Sequence, residues 1–293
     1  MEADTWEAGS TRAVETPEEL ARDVLSRGPA ALITDVDGTI SRIVEDPDSA
    51  EVEPAVVDIL EELHSHLALV ALLSGRSISQ LRRMVRSGDL VYVGNHGLEW
   101  SQAGRTYLAA EVEGWQGLVT AALRQLRREL TIPGVIVEDK GISGAVHYRR
   151  CSDPARARSV ILAAAARAAR VHGFEVSEGR KVVNIVPPVA VNKGTAVERL
   201  VRDHGLRGVV YLGDDMTDLD AFRSLRKMAR GGRCRVFLVG VFGPASPDDL
   251  QLEADLVLPT VAEAVNFLRQ MTHLVATVSE VVTPGNAKQR NGE

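Results

Sequence analysis

The stretch AALITDVDGT, residues 30–39, decides the fold. Ala30 to Thr34 is an apolar run of strand length with no polar face, the pattern of a parallel strand covered on both sides. It runs straight into Asp35-Val36-Asp37-Gly38-Thr39, two carboxylates followed by a glycine turn. A strand that is apolar throughout and acidic at its end places those acids at the carboxyl edge of a sheet, where open parallel sheets bind their ligands.

The same grammar continues on both sides of this stretch. Pro17 to Ser26 reads as a helix before it. After it come a helix over Pro54–His66, a second apolar run over Leu67–Leu73, a helix over Ile78–Ser87 and the short run Val91–Val93. Beyond Pro187-Pro188 the pattern predicts a helix over Lys193–His204, a strand over Val209–Gly213, a helix over Leu219–Arg226, strands over Arg235–Val241 and Asp255–Leu258, and a helix over Val261–Met271. Short apolar runs alternating with amphipathic helices predict βαβ units, hence an α/β fold with a doubly wound parallel sheet. Residues 17–109 and 188–275 are its expected extent.

Residues 110–187 read differently. Gly114–Leu130 carries a helical apolar stripe (Trp115, Leu118, Val119, Ala122, Leu126), and Val135–Asp139 and Ala145–Arg149 flank a turn-like segment. A second helix over Pro154–Val171 and a second strand pair, Phe174–Ser177 and Lys181–Val186, repeat the arrangement. This predicts an inserted α+β module lying over the sheet as a cap. Residues 1–16 and 278–293 are polar and aperiodic, and the expectation there is flexible termini.

Composition narrows the function. The chain has 293 residues, 45% hydrophobic and 25% charged, with a net charge of −6, which excludes a disordered or collagen-like chain. That charge gives no general attraction to nucleic acid or an anionic membrane. Residues 1–28 contain no apolar leader core, and no apolar run approaches the ~20 residues that span a bilayer. The expectation is a cytoplasmic protein with a small-molecule partner, no nucleic acid and no membrane; oligomeric state is not legible. Cys151 and Cys234 stand far apart without a CxxC or Cys/His cluster, so neither a disulfide framework nor a zinc site is expected.

The strand ends supply the chemistry. Leu67–Leu73 delivers Ser74-Gly75-Arg76, and Val209–Leu212 leads to Gly213-Asp214-Asp215-Met216-Thr217-Asp218. Carboxylates crowded at one edge repel unless a cation offsets them, and Mg²⁺, a hard cation that keeps water and phosphate ligands, suits such a set. Lys193 opens a helix where its ammonium can approach the same edge. Asp, Ser, Lys and Mg²⁺ together describe phosphoryl transfer with an aspartate as nucleophile. Read singly, Ser74 suits a helix N-cap, Lys193 a surface position and His96, ahead of Gly97, a turn; their order and company point to a site.

These residues resemble the haloacid dehalogenase phosphatases, whose motifs DxDGT, Ser/Thr, Lys and GDDxxxD occur in this order at Asp35–Thr39, Ser74, Lys193 and Asp214–Asp218. More narrowly, LSGRS (73–77), GNHGLE (94–99), EDK (138–140) with VHYR (146–149) and GDDMTDLDAF (213–222) resemble the trehalose-6-phosphate phosphatases. The resemblance spans about residues 30–270. It implies a Mg²⁺-dependent hydrolysis of a sugar phosphate in which Asp35 is phosphorylated and Asp37 acts as general acid and then base. Ser74 and Lys193 would bind the phosphoryl group. Asp35, Asp37 through its carbonyl, Asp214 and, through water, Asp218 would hold the metal. Substrate contacts are expected from Gly75, Arg76, Asn95, His96, Glu138, Lys140, His147, Arg149 and Asn184.

Strand alternation supports the cap contacts independently, since Glu138 and Lys140 fall opposite Val135 and Val137, and His147 and Arg149 fall opposite Val146 and Tyr148. The family's usual Glu-x-Arg-Pro in the last cap strand is Asn184-Ile185-Val186-Pro187 here, and Arg42 stands where the family commonly has Pro. Three readings therefore stay open: trehalose 6-phosphate as substrate, another glycosyl phosphate such as sucrose phosphate or mannosyl-glycerate phosphate, and a non-catalytic sugar-phosphate sensor.

Overall fold

The computed structural model describes residues 16–44, 49–179, 181–243 and 246–282. Thr16 opens it as a helix cap: its hydroxyl accepts from Glu19 N and its own N–H donates to the Glu19 carboxylate, so helix α1 spans Pro17–Ser26. The chain continues through β1 (Ala30–Thr34), α2 (Pro54–His66), β2 (Leu69–Leu73), α3 (Ile78–Met84), β3 (Val91–Gly94), β4 (Glu99–Gln102) and β5 (Arg105–Leu108). An inserted stretch follows, with α4 (Gln116–Glu129), β6 (Ile136–Asp139), β7 (Gly144–His147), α5 (Pro154–His172), β8 (Glu175–Gly179) and β9 (Val182–Val186). The first grammar then returns as α6 (Lys193–Asp203), β10 (Gly208–Gly213), α7 (Met216–Arg230), β11 (Arg235–Val241), α8 (Asp248–Glu253), β12 (Leu256–Leu258) and α9 (Val261–Val282).

Among the described residues, eight strands form one sheet in the order β12-β11-β10-β1-β2-β3-β4-β5, parallel from β12 to β3. Alternation along the buried strands divides the core in two. Leu32, Val70, Val210 and Val239 face α1, α2 and α9, while Ile33, Ala71, Tyr211 and Leu238 face α6 and α7. Each buried valine, leucine or isoleucine among them contributes about 1.5–3 kcal/mol by leaving water. The α/β class and the doubly wound parallel sheet are therefore as the sequence predicts.

The insert builds a four-stranded antiparallel sheet, β6-β7-β9-β8. One face carries Val146, Tyr148, Val183 and Ile185 against α4 and α5, and the other is left toward the large sheet.

Helix α3 ends at Met84 and α7 spans Met216–Arg230, against the expected 78–87 and 219–226, and three further elements depart more from the sequence reading. The hairpin β4–β5 is new. Its two-residue turn, Ala103-Gly104, has φ of 48° and 76°, the geometry of a tight hairpin turn, but with Ala where Asn or Asp would have announced it. Helix α8 is not legible in the sequence because its six residues are too few to show a period. Helix α9 passes Met271 and runs to Val282, with Val275 buried against the core, so residues 278–282 are helical rather than a loose tail. Thr16 likewise belongs to α1, whereas residues 1–15 and 283–293, also expected to be flexible, lie outside the described residues.

Candidate active site

The carboxyl ends of β1 and β10 bring Asp35 and Asp214 together. Asp35 N donates to Leu212 O at 2.9 Å, which fixes the first acid beside the second strand. Gly38, at φ 88°, passes so close to Asp214 that any side chain there would overlap its carboxylate. Thr39 Oγ1 donates to Asp214 Oδ1 at 3.3 Å. Asp35, Asp214 and Asp218 are all buried, each offering an oxygen within 4.8 Å of the others.

Lys193 is the cation among them. It is the first residue of α6, whose N-cap Asn192 accepts from Thr195 N, and this cap aims the lysine into the sheet edge. Its side chain is 1% exposed, and Nζ donates to Asp35 Oδ1 at 2.9 Å and Asp218 Oδ1 at 2.7 Å. Burial pushes the Asp35 carboxyl well up, with Asp218 and Asp214 adding to the effect and Lys193 opposing it. Burial and the neighbouring carboxylates push Asp214 up to about 8. Burial disfavours charge on Lys193 too, but Asp218 and Asp35 more than compensate and hold it protonated.

Asp218 has a different position from the other two. Its Oδ1 accepts from Lys193 Nζ and from Tyr211 OH, each at 2.7 Å, and its Oδ2 accepts from the backbone N–H of Asp214 and Asp215, each at 3.1 Å. A carboxylate offers about four lone-pair sites, so Asp218 is filled by donors from the chain itself. It orients Lys193 and the Asp214 loop, which leaves Asp35 and Asp214 as the carboxylates with room for a cation. Asp215 caps α7 through Thr217 N and Asp218 N, which is why that helix starts at Met216, three residues before Leu219.

Asp37 lines the same edge but stands outside the lysine-centred cluster. Both its oxygens are taken by the fork of Arg76, with Nη2 donating to Oδ1 at 2.7 Å and Nε to Oδ2. The guanidinium expected on substrate is thus on the general-acid candidate. Ser74 follows β2 directly as a buried hydroxyl, its Oγ accepting from Arg76 N at 3.2 Å, and the N-cap of α3 is Ser77.

The open face of the insert completes a cleft of 1120 Å³ above these groups. Asp35, Asp37, Ser74, Gly75, Arg76, Asn95, His96, Lys193 and Asp214 line it from below, and Glu138, Lys140, His147, Arg149 and Asn184 from above. The alternation predicted for the insert strands is therefore what the molecule has. Asp218 lies behind this lining, fully buried.

Several of the upper residues also touch the core directly. Lys140 Nζ donates to Gly75 O at 2.9 Å, Asn95 Nδ2 to Lys140 O at 3.1 Å, and Arg149 Nη1 to Val44 O at 2.8 Å. Glu138 Oε2 lies 2.7 Å from His147 Nε2. Burial would raise Glu138, but His147, Lys140 and Gln80 together bring its carboxyl down to about 2. Burial, reinforced by Lys193 and Lys140, lowers His96 to about 3, so its ring is neutral beside the acids. Tyr211 and Gln80 are not legible in the sequence. A tyrosine inside an apolar strand and a glutamine in a helix carry no local signal of a distant partner.

The family model for trehalose-phosphatase matches residues 33–242. A trehalose-phosphate phosphatase of Mycobacterium tuberculosis (strain H37Rv) is 38% identical over 216 residues, 69% of this chain and 53% of that protein. An uncharacterized glycosyl hydrolase of the same strain is 34% identical over 223 residues, 73% of this chain and 16% of that protein. The structure of the C. albicans trehalose-6-phosphate phosphatase C-terminal domain aligns with a TM-score of 0.70 at 25% identity, covering 87% of this chain and 96% of that one. The chain spans about half the length of the curated trehalose-phosphate phosphatases that it matches.

Proposed function

The chain belongs to the trehalose-phosphatase family, with the haloacid dehalogenase-like fold, and from that premise we propose that it hydrolyses trehalose 6-phosphate to trehalose and inorganic phosphate. The observation that carries this reading is the Lys193 ammonium paired with Asp35 at the floor of a cleft roofed by sugar-compatible donors and acceptors.

In the proposed reaction an Asp35 oxygen attacks phosphorus in line as the bond to the sugar oxygen breaks; Asp37, released on one oxygen by the Arg76 fork and entering the step protonated, gives its proton to that sugar oxygen. Asp37 then takes a proton from water, whose oxygen attacks phosphorus and returns Asp35 as a carboxylate. Lys193 and Ser74 hold the phosphoryl oxygens, and Arg76 keeps Asp37 aimed at the cleft until substrate displaces one arm of the fork. The insert, residues 110–187, acts as the cap that excludes bulk water.

A hard divalent cation suits the all-oxygen set of Asp35, Asp214 and the Asp37 carbonyl, and we take it to be Mg²⁺; when bound it would neutralise charge on the phosphoryl oxygens. Without it, Asp214 stays protonated in the folded chain up to about 8, whereas its ordinary value is 3.8. The unfolded chain then binds fewer protons across that interval, so metal-free stability falls as pH rises from about 4 to about 8. Mg²⁺ is expected to raise Tm by several degrees at pH 8 and by little at pH 5. Melting curves with Mg²⁺ and with EDTA check this, and equal shifts at both pH values would count against a metal on Asp214.

Substrate class is tested by phosphate release from trehalose, sucrose and mannosyl-glycerate phosphates. Loss of the ester bond in none of them would refute the activity, and preference for either of the latter two would move the substrate to another glycosyl phosphate, as Asn184 and Val186 allow. Glu138→Ala and Lys140→Ala are expected to lower kcat/KM for the preferred sugar ester about 10²-fold while an aryl phosphate changes far less, because the insert reads the sugar and the sheet edge handles phosphate. Equal losses on both esters would show that the insert face does not contact the sugar. The proposed setting is cytoplasmic, and no helix among the described residues is long and apolar enough to cross a membrane.

A further inference from the structure

Gln80 touches none of the phosphate-handling groups, yet it is bonded in two directions. As the third residue of α3, it accepts the Ser77 N–H at 3.0 Å and the Ser77 hydroxyl at 3.1 Å on Oε1, closing a capping box. Its Nε2 reaches out to the insert and donates to Glu138 Oε1 at 2.6 Å. Glu99 Oε2 accepts the next free helix donor, Ile78 N, at 2.9 Å. The start of α3 is therefore fixed on the core, and the segment just before it carries Ser74, Gly75 and Arg76.

A capping box accepts Glu as readily as Gln at this position. The helix alone gives no reason for an amide. The insert does: a carboxylate there would face the Glu138 carboxylate, whereas the amide N–H supplies the donor that Glu138 lacks once His147 has taken its other oxygen. Together with Lys140 on Gly75 O, this contact ties the insert to the core at two points, Gly75 and Gln80, on either side of Arg76 and Ser77.

We propose that Gln80 is a positioning residue for specificity, locking the insert onto the segment that carries Ser74 and Arg76. Turnover of an ester whose leaving group reaches the insert depends on this contact, and turnover of a small ester does not. The inference rests on the phosphatase reading above for its kinetic consequence but not for the contact itself.

Gln80→Glu is the discriminating variant, since it keeps the helix cap and replaces the donor to Glu138 with a like charge. In the ligand-free protein, backbone amides of residues 138–147 are expected to exchange hydrogen about tenfold faster than in the parent. Adding Glu138→Gln restores a donor and an acceptor with roles exchanged, and is expected to return the slow exchange. For the sugar phosphate, kcat/KM of the single variant should fall about 30-fold, carried mainly by KM, with p-nitrophenyl phosphate changed less than about threefold. Unaltered exchange in Gln80→Glu, or fast exchange that the second substitution leaves in place, would overturn the contact as a lock. Equal loss on both esters would overturn its part in specificity. Should the parent turn over no sugar phosphate, the functional reading fails while the exchange result still decides the lock.

Discussion

Asp35→Asn is expected to abolish turnover of sugar and aryl phosphates alike, by at least about 10⁴-fold, with no loss of Tm. Asp35 is the acid at the end of β1 that meets Lys193 Nζ at 2.9 Å, and an amide oxygen in its place still accepts that hydrogen bond. The substitution replaces one of three buried acids that stand within 4.8 Å of one another, whose charged form burial disfavours, by a neutral amide, so the fold is not weakened. Function and stability should therefore part. Acid-quenched parent protein incubated with substrate should carry an acyl phosphate, and the variant none. Activity within tenfold of the parent would remove Asp35 as nucleophile, and a parent that binds sugar phosphate without turnover would make the chain a sensor.

How far the sequence reveals this site depends on the range of the contacts involved. Asp35, Ser74 and Asp214 are legible because each ends an apolar run, and a fully apolar strand has only its carboxyl end to offer polar groups. Glu138 and His147 are legible because alternation sorts a two-faced strand without knowledge of its partner. Lys193 is legible only in company, since nothing around it says that a lysine at a helix start will be 1% exposed. Arg76 on Asp37, Gln80 on Glu138 and Tyr211 on Asp218 are contacts between segments 39, 58 and 7 residues apart that no periodicity encodes. The β4–β5 hairpin is a local miss of another kind, a turn whose first residue takes positive φ without being Gly, Asn or Asp.

The same contacts show why the site must be charged in one particular balance. Asp218 is satisfied by four donors, and Asp35 shares its lysine. Lys193 is thus the cation that Asp35 and Asp218 share, and in the proposed reaction the same atom also holds the phosphoryl group, so two roles rest on it.

Lys193→Met, which preserves bulk and removes charge, should therefore damage both roles. Turnover is expected to fall about 10³-fold or more, because the phosphoryl group loses its fixed positive partner. Breaking a buried ion pair from one side costs about 3–5 kcal/mol, so metal-free protein at pH 8 should lose Tm on the order of 10 °C. Burial and mutual repulsion hold Asp35 and Asp214 toward their protonated forms once Lys193 is gone, so the loss should shrink at pH 5 and also when Mg²⁺ is added. Combining Lys193→Met with Asp35→Asn should cost less stability than the sum of the two, since the second change removes a charge that the first left unpaired. A Lys193→Met chain that melts with the parent at pH 8 in EDTA would show that the acids are held apart by something other than this ammonium, and the account of the site as a lysine-centred cluster would fall with it.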